Sequence, residues 1–318
     1  MDRFQGLKDF VVKNSASGDE SGELELISGD ASFRKYYRQG NFIYVDAPAT
    51  TEKNREFVAY SAKLRSCGIH APEVMAYDFD QGYLKIENFG NRQFASVAMG
   101  AEQVVWYSRA IDVLGKLADL SCSDLEIYDS AFINRELTIF TDWYVGKYLS
   151  ASFSPAQNTL WRKLSLLLVT NDLEQKQIAM HRDYHCRNIM ILEDGLGILD
   201  FQDMVQGPLT YDLVSLLKDC YVTLDDELRN RLLHQGYEIY RSKNLLDDES
   251  FEKFQRHFDL TGMQRHLKAA GIFSRLKYRD GRDQYLQYLP RTLGYVRETI
   301  EEYPELNSFR QLLEDLIK

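Results

Sequence analysis

One stretch near the middle of the chain constrains its fold and chemistry more than any other. It reads His181-Arg-Asp-Tyr-His-Cys-Arg-Asn188 and is followed by Gly197-Ile-Leu-Asp-Phe-Gln-Asp203. Three polar side chains stand at informative offsets: Asp183, Asn188 five residues later, and Asp200 after a further twelve. A lone Asp-x-x-x-x-Asn pattern is usually an ordinary surface loop, but the preceding His-Arg and the second aspartate favour a functional interpretation.

The residues between Asn188 and Asp200 give this spacing a geometric reason. Ile189–Leu192 and Leu196–Leu199 are short apolar runs joined by Glu-Asp-Gly, a pattern typical of two strands in a hairpin. Such a hairpin folds Asp200 back beside Asn188, so we expect the two side chains to be neighbours.

These side chains match the needs of phosphoryl transfer from magnesium-bound ATP. One carboxylate must accept a proton from the attacking hydroxyl, and oxygen ligands must hold the magnesium that bridges the phosphates. We therefore assign Asp183 as the base, and Asn188 and Asp200 as the metal ligands. Arg187 could steady the transferring phosphoryl group, or it could form a salt bridge within the loop.

Composition bounds the class of protein. The chain has 318 residues, 44% hydrophobic and 27% charged, which is the mix of a globular protein large enough for two lobes. It contains no apolar run near the ~20 residues of a membrane helix and no signal peptide, so we expect a cytoplasmic protein. Its four cysteines are scattered, which predicts neither a disulfide framework nor a zinc site. A monomer is the default expectation.

The distribution of charge narrows the choice of partners. A net charge of −10 argues against nucleic acid or an anionic membrane as the main partner. Residues 256–297 nevertheless carry nine Lys/Arg and three Asp/Glu, a local balance of +6. This basic segment could be a solvated helix face, or it could line a site for an anionic substrate.

Residues 1–90 read as a small α+β lobe. Residues 1–14 and 52–67 have helical apolar spacing, and polar and glycine residues interrupt the last strand at Ile86-Glu-Asn-Phe-Gly90. The turn Gly29-Asp-Ala-Ser32 could cover phosphates with its backbone N–H groups, although this composition is also common in plain turns. The predicted strands are Glu23–Ser28, Phe33–Arg38, Phe42–Asp46 and Tyr83–Glu87.

Residues 91–318 read as a mainly helical lobe. Apart from the hairpin, the only other strand that the pattern suggests is Gln177–Met180. The candidate helices are 102–118, 134–149, 156–171, 211–220, 226–242, 248–277, 282–300 and 308–317.

At this point the chain resembles the aminoglycoside phosphotransferase and choline kinase superfamily, which has a protein-kinase-like two-lobed α+β fold. The resemblance rests on His181-x-Asp183-x-x-x-x-Asn188, on Leu199-Asp-Phe201 and on Gly207-Pro…Tyr211-Asp-Leu213. Further stretches, such as Gly29-Asp-Ala-Ser-Phe-Arg-Lys-Tyr-Tyr-Arg38 and Met263-Gln-Arg-His-Leu-Lys268, look like the bacterial kinases that phosphorylate the anomeric hydroxyl of N-acetylmuramate and N-acetylglucosamine in cell-wall recycling.

The resemblance implies where ATP and Mg²⁺ would bind. The adenine would meet the hinge at Ile86 and Asn88, and the phosphates would lie under Gly29, Asp30, Ala31 and Ser32. Related kinases carry a lysine on the third strand, but this chain reads Phe42-Ile-Tyr-Val-Asp46 there. Arg34 is the favoured replacement, with Lys35 and Arg38 as alternatives. Glu52 or Glu56 could be the helix glutamate that pairs with such a lysine, but the missing lysine puts that pair, and hence a role for Glu56, in doubt. Because the lysine is missing, a nucleotide-binding pseudokinase remains an alternative interpretation.

The basic segment suggests the acceptor. The lactyl carboxylate of N-acetylmuramate would suit an Arg or His, and the candidates are Gln264, Arg265 and His266, with Lys268 one turn further on. A polycationic aminoglycoside would require acids here, and choline would require an aromatic cage. We therefore favour an amino-sugar kinase over a kinase for choline, homoserine or an aminoglycoside.

Overall fold

The computed structural model describes residues 2–15, 22–28 and 33–316. Within it the chain divides into two compact units, Met1–Val97 with Arg187–Met204, and Ala98–Cys186 with Val205–Lys318. The predicted hairpin segment thus clusters with the N-terminal unit, whereas the sequence analysis included it in residues 91–318.

The strands of the described residues form three sheets. The first unit holds a five-stranded antiparallel sheet in the order β1-β2-β3-β5-β4 and the two-stranded hairpin β8-β9. The second unit holds a sheet in which β10 is parallel to β6 and antiparallel to β7. The strands are β1 Glu25–Ser28, β2 Lys35–Gln39, β3 Phe42–Asp46, β4 Val74–Asp78, β5 Tyr83–Glu87, β6 Glu126–Ile127, β7 Gln177–Met180, β8 Ile189–Ile191, β9 Leu196–Ile198 and β10 Val205–Pro208.

Helices dominate the second unit, as the sequence predicted. Short 3₁₀ turns cover Phe94–Ser96, Asp283–Tyr288 and Pro304–Leu306. The α-helices are α1 Arg3–Asn14, α2 Asn54–Ser66, α3 Gln103–Leu117, α4 Ser130–Ile139, α5 Pro155–Glu174, α6 Tyr211–Leu217, α7 Asp226–Ser242, α8 Phe251–Asp280, α9 Leu289–Glu302 and α10 Asn307–Leu316.

Two expectations about the second unit were wrong. The helix predicted over 134–149 is α4 followed by a π-helix over Phe140–Tyr148. Strands β6 and β10 were both missed, the second because Gly207-Pro208 resembles a turn. A Cβ on Gly207 would lie 2.7 Å from Met180 Cε, so the flexible end of that side chain would have to shift.

Helix α1 covers one face of the five-stranded sheet. Its apolar residues Leu7, Phe10 and Val11 pack against Tyr37, Tyr44 and Tyr83, which alternate with residues on the opposite face of β2, β3 and β5. That opposite face includes Tyr36, Val45 and Leu84, which pair across the same strands. Arg34 lies one residue before β2, so it follows the alternation of this second face.

Helix α8 is the centre of the second unit. It begins at the N-cap Ser250, ends at Gly281 in the left-handed region (φ 68°), and is buried along most of its length. The start of the π-helix comes so close that a Cβ on Gly271 would lie 2.5 Å from the carbonyl oxygen of Ile139. Glycine at this position therefore permits contact between the two backbones.

A buried polar network joins α5 to α8. The Oδ1 atom of Asp172 accepts hydrogen bonds from Thr261 Oγ1 (2.7 Å) and Asn171 Nδ2 (3.2 Å). Its Oδ2 atom has no hydrogen-bond partner among the described residues. Burial raises the pKa of Asp172 to about 7, and the charge of Glu136 adds to the rise while the two hydrogen bonds oppose it.

This raised pKa predicts a pH-dependent stability. An unfolded aspartate titrates near pH ~3.9, so folding takes up a proton, and the stabilisation is complete below that pH and lost as the pH rises through about 7. Between pH ~4 and ~7 the wild type should lose about 3 kcal/mol of unfolding free energy that Asp172→Asn does not lose.

Urea unfolding of both proteins across this pH range measures the difference. Burial, with Lys253 and Arg256, lowers the pKa of neighbouring His257 to about 4. His257 therefore has the opposite pH slope, but it is present in both proteins and cancels in the comparison. Parallel pH profiles would show that Asp172 titrates normally.

Candidate active site

The hairpin brings two predicted metal ligands together. Strands β8 and β9 pair Ile189 with Ile198, and Leu199 N–H donates to the Asn188 carbonyl at 2.9 Å. As a result, Asn188 Nδ2 lies 3.3 Å from Asp200 Oδ2. The expectation that the hairpin makes these side chains neighbours is confirmed.

The backbone of Asp200 is in an unusual conformation. Its φ angle is 63°, in the left-handed region that non-glycine residues seldom adopt. Its carboxylate is exposed and accepts a hydrogen bond from Gln202 Nε2 at 2.8 Å. Backbone strain of this kind concentrates at functional sites, where it aims a side chain.

The donor atoms at this point fit a magnesium ion that also binds phosphates. Asn188 and Asp200 offer carboxamide and carboxylate oxygens, the hard ligands that Mg²⁺ prefers. Within the described residues, no three His, Cys, Asp or Glu side chains gather into a metal cluster. One or two protein ligands completed by nucleotide phosphates and water is the usual Mg²⁺ arrangement in kinases.

Arg34 is buried in the same unit, with only 2% of its surface exposed. Its Nε atom lies 2.8 Å from Glu52 Oε2, and its guanidinium lies 5.2 Å from the centre of the Phe57 ring. Phe57 in turn packs on Phe201, the residue after Asp200, with ring centres 4.8 Å apart. Arg34 therefore has a glutamate partner in Glu52, whereas the sequence analysis doubted the lysine–glutamate pair of related kinases and a role for Glu56.

The other predicted nucleotide residues differ in how much the structure says of them. Gly29, Asp30, Ala31 and Ser32 lie outside the described residues. Ile86 is buried in β5, and Asn88 Oδ1 accepts the Gly90 N–H at 2.9 Å. The carbonyl of Arg187 accepts a hydrogen bond from Gln93 Nε2 at 3.4 Å.

In the second unit, two buried carboxylates hold the loop around Asp183. Asp212 accepts the backbone N–H groups of His181 (2.6 Å) and Arg182 (2.9 Å), and Asp219 accepts that of Cys186 (2.9 Å). The loop is thus fixed on both sides of Asp183. Sequence analysis named Asp212 only as part of the motif that carries the family resemblance, and it missed Asp219.

Asp183 faces a cavity of about 90 Å³ whose other walls include His185, Tyr211, Arg265 and Lys268. Burial alone would raise the pKa of Asp183, but Lys268, His185, Arg182 and Arg265 outweigh it and hold the pKa at about 2. The side chain is therefore a carboxylate near neutral pH. A larger cavity of about 760 Å³ in this unit contains none of these five residues.

The predicted substrate residues lie on different faces of helix α8. Arg265 and Lys268 line the cavity, whereas Gln264 and His266 are fully buried elsewhere. Gln264 Nε2 donates to Glu136 Oε2 at 3.3 Å. His266 Nε2 lies 2.8 Å from the Lys218 carbonyl oxygen, and burial together with Arg265 lowers its pKa well below the ordinary value.

Glu136 on α4 joins the catalytic loop to α8. Its carboxylate lies 2.8 Å from both Arg182 Nη2 and Lys268 Nζ and accepts the Tyr128 hydroxyl at 2.6 Å. Burial opposes ionisation, but Lys268 and Arg182 lower the pKa of Glu136. Sequence analysis did not find Glu136, because its partners come from three separate segments of the chain.

Comparison with known proteins finds relatives that match nearly the whole chain. The chain is 36% identical over 315 residues to an N-acetylmuramate/N-acetylglucosamine kinase of Pseudomonas putida, covering 98% of this chain and 93% of that protein. A protein of the same name from Neisseria meningitidis is 34% identical, covering 93% of this chain and 91% of its own length.

Solved structures show the same fold. A choline/ethanolamine kinase family protein from Mesorhizobium loti aligns with a TM-score of 0.65 at 15% identity, covering 98% of this chain and 99% of that one. A choline kinase from Streptococcus pneumoniae aligns with a TM-score of 0.62 at 13% identity, covering 92% and 99%. No helix among the described residues has the length and apolar character needed to cross a membrane.

A family profile described as "Phosphotransferase enzyme family" (APH) matches residues 23–246. The small antiparallel sheet followed by a mainly helical region is the protein-kinase-like arrangement of the aligned structures. The chain therefore belongs to the APH phosphotransferase enzyme family, whose members transfer a phosphoryl group from ATP to a small molecule.

Proposed function

We propose that the protein phosphorylates the anomeric hydroxyl of N-acetylmuramate or N-acetylglucosamine in the cytoplasm, where ATP is available. The relatives of this name support the sugar. The preference for an acidic sugar rests on one observation: Arg265 is a buried cation on the wall of the Asp183 cavity.

The nucleotide half of the proposal uses residues of the first unit. Asn188 and Asp200 would hold Mg²⁺, which supplies neutralisation of the charge on the β- and γ-phosphate oxygens. Arg34 would hold the phosphates in place of the missing lysine. The backbone at Gly29–Ser32 would cover the phosphates, and that at Ile86 and Asn88 would meet the adenine. Arg187 would steady the transferring phosphoryl group.

The acceptor half uses Asp183. Its carboxylate would orient the sugar hydroxyl and take its proton as the oxygen attacks the γ-phosphorus. A carboxylate with a pKa near 2 is a weak base. An anomeric hydroxyl is more acidic than an ordinary alcohol, so a weak base and accurate positioning suit this acceptor.

Arg265 is the proposed partner of the lactyl carboxylate. It is 6% exposed, and the acceptor recorded for its guanidinium among the described residues is the Cys220 sulfur, 3.8 Å from Nη1. Sulfur is a weak acceptor, so a substrate carboxylate would satisfy this group far better. The cations around the cavity disfavour choline and aminoglycosides, which are themselves cations.

A panel of acceptors tests the proposal. ATP consumption with Mg²⁺ should be stimulated by both amino sugars and not by choline, homoserine or an aminoglycoside, and EDTA should abolish it. Phosphorus NMR should show a product phosphate split by the anomeric proton. Stimulation by choline or homoserine alone would overturn the amino-sugar assignment, and ATP binding without any turnover would favour a pseudokinase.

Arg265→Gln should then discriminate between the two sugars. Loss of a charge-assisted hydrogen bond of about 1.5–3 kcal/mol should lower kcat/KM for N-acetylmuramate about 10–100-fold and leave N-acetylglucosamine much less affected. Arg256→Gln, which replaces a half-buried arginine on the same helix paired with Glu305 and outside the cavity lining, is the control. Equal losses on both sugars would remove the carboxylate role.

A further inference from the structure

Lys268 has an environment that structural needs alone do not explain. It lies on α8, is 7% exposed, and lines the same cavity as Asp183. Burying a lysine is costly unless its charge is compensated. Its Nζ atom lies 2.8 Å from Glu136 Oε1 and 3.1 Å from the Tyr211 hydroxyl oxygen.

The charge of Lys268 is retained but only partly neutralised. Burial lowers the pKa of this lysine, but Glu136 outweighs burial, so the net shift is upward. Glu136 also pairs with Arg182 at the same distance of 2.8 Å, so one carboxylate serves two cations. Of the neighbouring charges that lower the pKa of Asp183, Lys268 has the largest effect.

Among the described residues, the number of acceptors around Lys268 is smaller than its number of N–H donors. A lysine ammonium carries three N–H donors, and in the part of the chain that the structure describes its recorded acceptors are Glu136 and Tyr211. With those two bonds made, one N–H donor remains on a side chain that forms part of the cavity wall. That wall is where the oxygen approaching Asp183 would sit.

We propose that Lys268 is a catalytic residue whose ammonium, held by Glu136 and Tyr211, donates a hydrogen bond to the acceptor oxygen during phosphoryl transfer. The acceptor oxygen forms a bond to the γ-phosphorus of ATP, and its proton passes to Asp183. The bond from the γ-phosphorus to the β,γ-bridging oxygen breaks, and its electron pair leaves with ADP. Lys268 keeps all its protons and stabilises the negative charge that develops on the attacking oxygen.

This role differs from that proposed for Arg265. Arg265 would recognise a carboxylate that only one sugar carries, whereas Lys268 would act on the reacting oxygen that both sugars share. The identity of the acceptor rests on the proposed function, but the role of Lys268 holds for any acceptor, including water. Failure of the two ideas can therefore be told apart.

The test compares Lys268→Met and Lys268→Arg with Lys253→Met, an exposed lysine on the same helix. Loss of one donor to a developing oxyanion typically costs about 10²–10³ in kcat. Lys268→Met should show about this loss on both sugars and on the slow hydrolysis of ATP by water, with ATP affinity unchanged. Lys268→Arg should recover part of the rate, and Lys253→Met should behave as wild type.

A pH profile separates catalysis from packing. Removing the strongest cation beside Asp183 should move the acidic limb of kcat/KM to higher pH in Lys268→Met. The proposal is overturned if kcat stays near the wild-type value, if only N-acetylmuramate loses activity, or if ATP affinity falls together with kcat. If the wild type transfers to neither sugar, the amino-sugar function fails, and the hydrolysis rate alone still decides the role of Lys268.

Discussion

Replacement of Asp183 by asparagine is expected to lower kcat by about 10²–10⁴, the usual contribution of a positioned general base. Asparagine has nearly the same shape but cannot accept the proton of the acceptor hydroxyl. Asp183 is set in a loop that Asp212 and Asp219 hold by its backbone, so the loop should keep its form. Steady-state rates with the preferred acceptor measure the effect.

Binding of ATP should be nearly unchanged in this variant. The proposed nucleotide residues Arg34, Asn188 and Asp200 belong to the other unit of the chain, and calorimetric titration with Mg-ATP would report their state. Asp248→Asn, which removes an exposed carboxylate, is the control. A variant at Asp183 with near-normal kcat would show that another group takes the proton.

Replacement of Glu136 by alanine is expected to lower the free energy of unfolding by about 3–5 kcal/mol, the typical cost of removing one partner from a buried ion pair. Arg182 and Lys268 would both lose their carboxylate partner, and the Tyr128 hydroxyl would lose its acceptor. Urea unfolding at neutral pH measures the loss.

A surface pair provides the comparison. Glu238 lies 3.5 Å from Arg241 with both side chains more than half exposed, and solvent screening makes such pairs weak. Glu238→Ala should therefore be far less destabilising than Glu136→Ala. Similar losses in the two variants would mean that the Glu136 cluster adds little to stability.

The sequence predicted features that depend on neighbouring residues, and it missed features that depend on contacts between distant parts of the chain. The hairpin that joins Asn188 to Asp200 depends on two apolar runs and a turn, so the sequence revealed it. Glu136 and Asp219 act on residues 46 and 33 positions away, and nothing in the neighbouring sequence marks them. The π-helix at Phe140 was likewise missed, and it begins where the chain passes close to Gly271 of α8, 131 residues further along.

The site residues show the same contrast between what the sequence predicts and what only the structure shows. The offsets of Asp183, Asn188 and Asp200 were sufficient to propose chemistry, whereas the direction of each residue on α8 required the helix to be placed. Helical spacing alone could not decide that Arg265 faces the cavity while Gln264 and His266 turn away from it.

The way the Asp183 loop is held has an evolutionary consequence. Asp212 and Asp219 contact backbone N–H groups, which every residue except proline provides. These backbone contacts therefore do not depend on which side chains the loop carries. Substitutions in the loop can therefore change its side chains while these backbone contacts are kept, so one scaffold can diversify in substrate while its reaction stays the same.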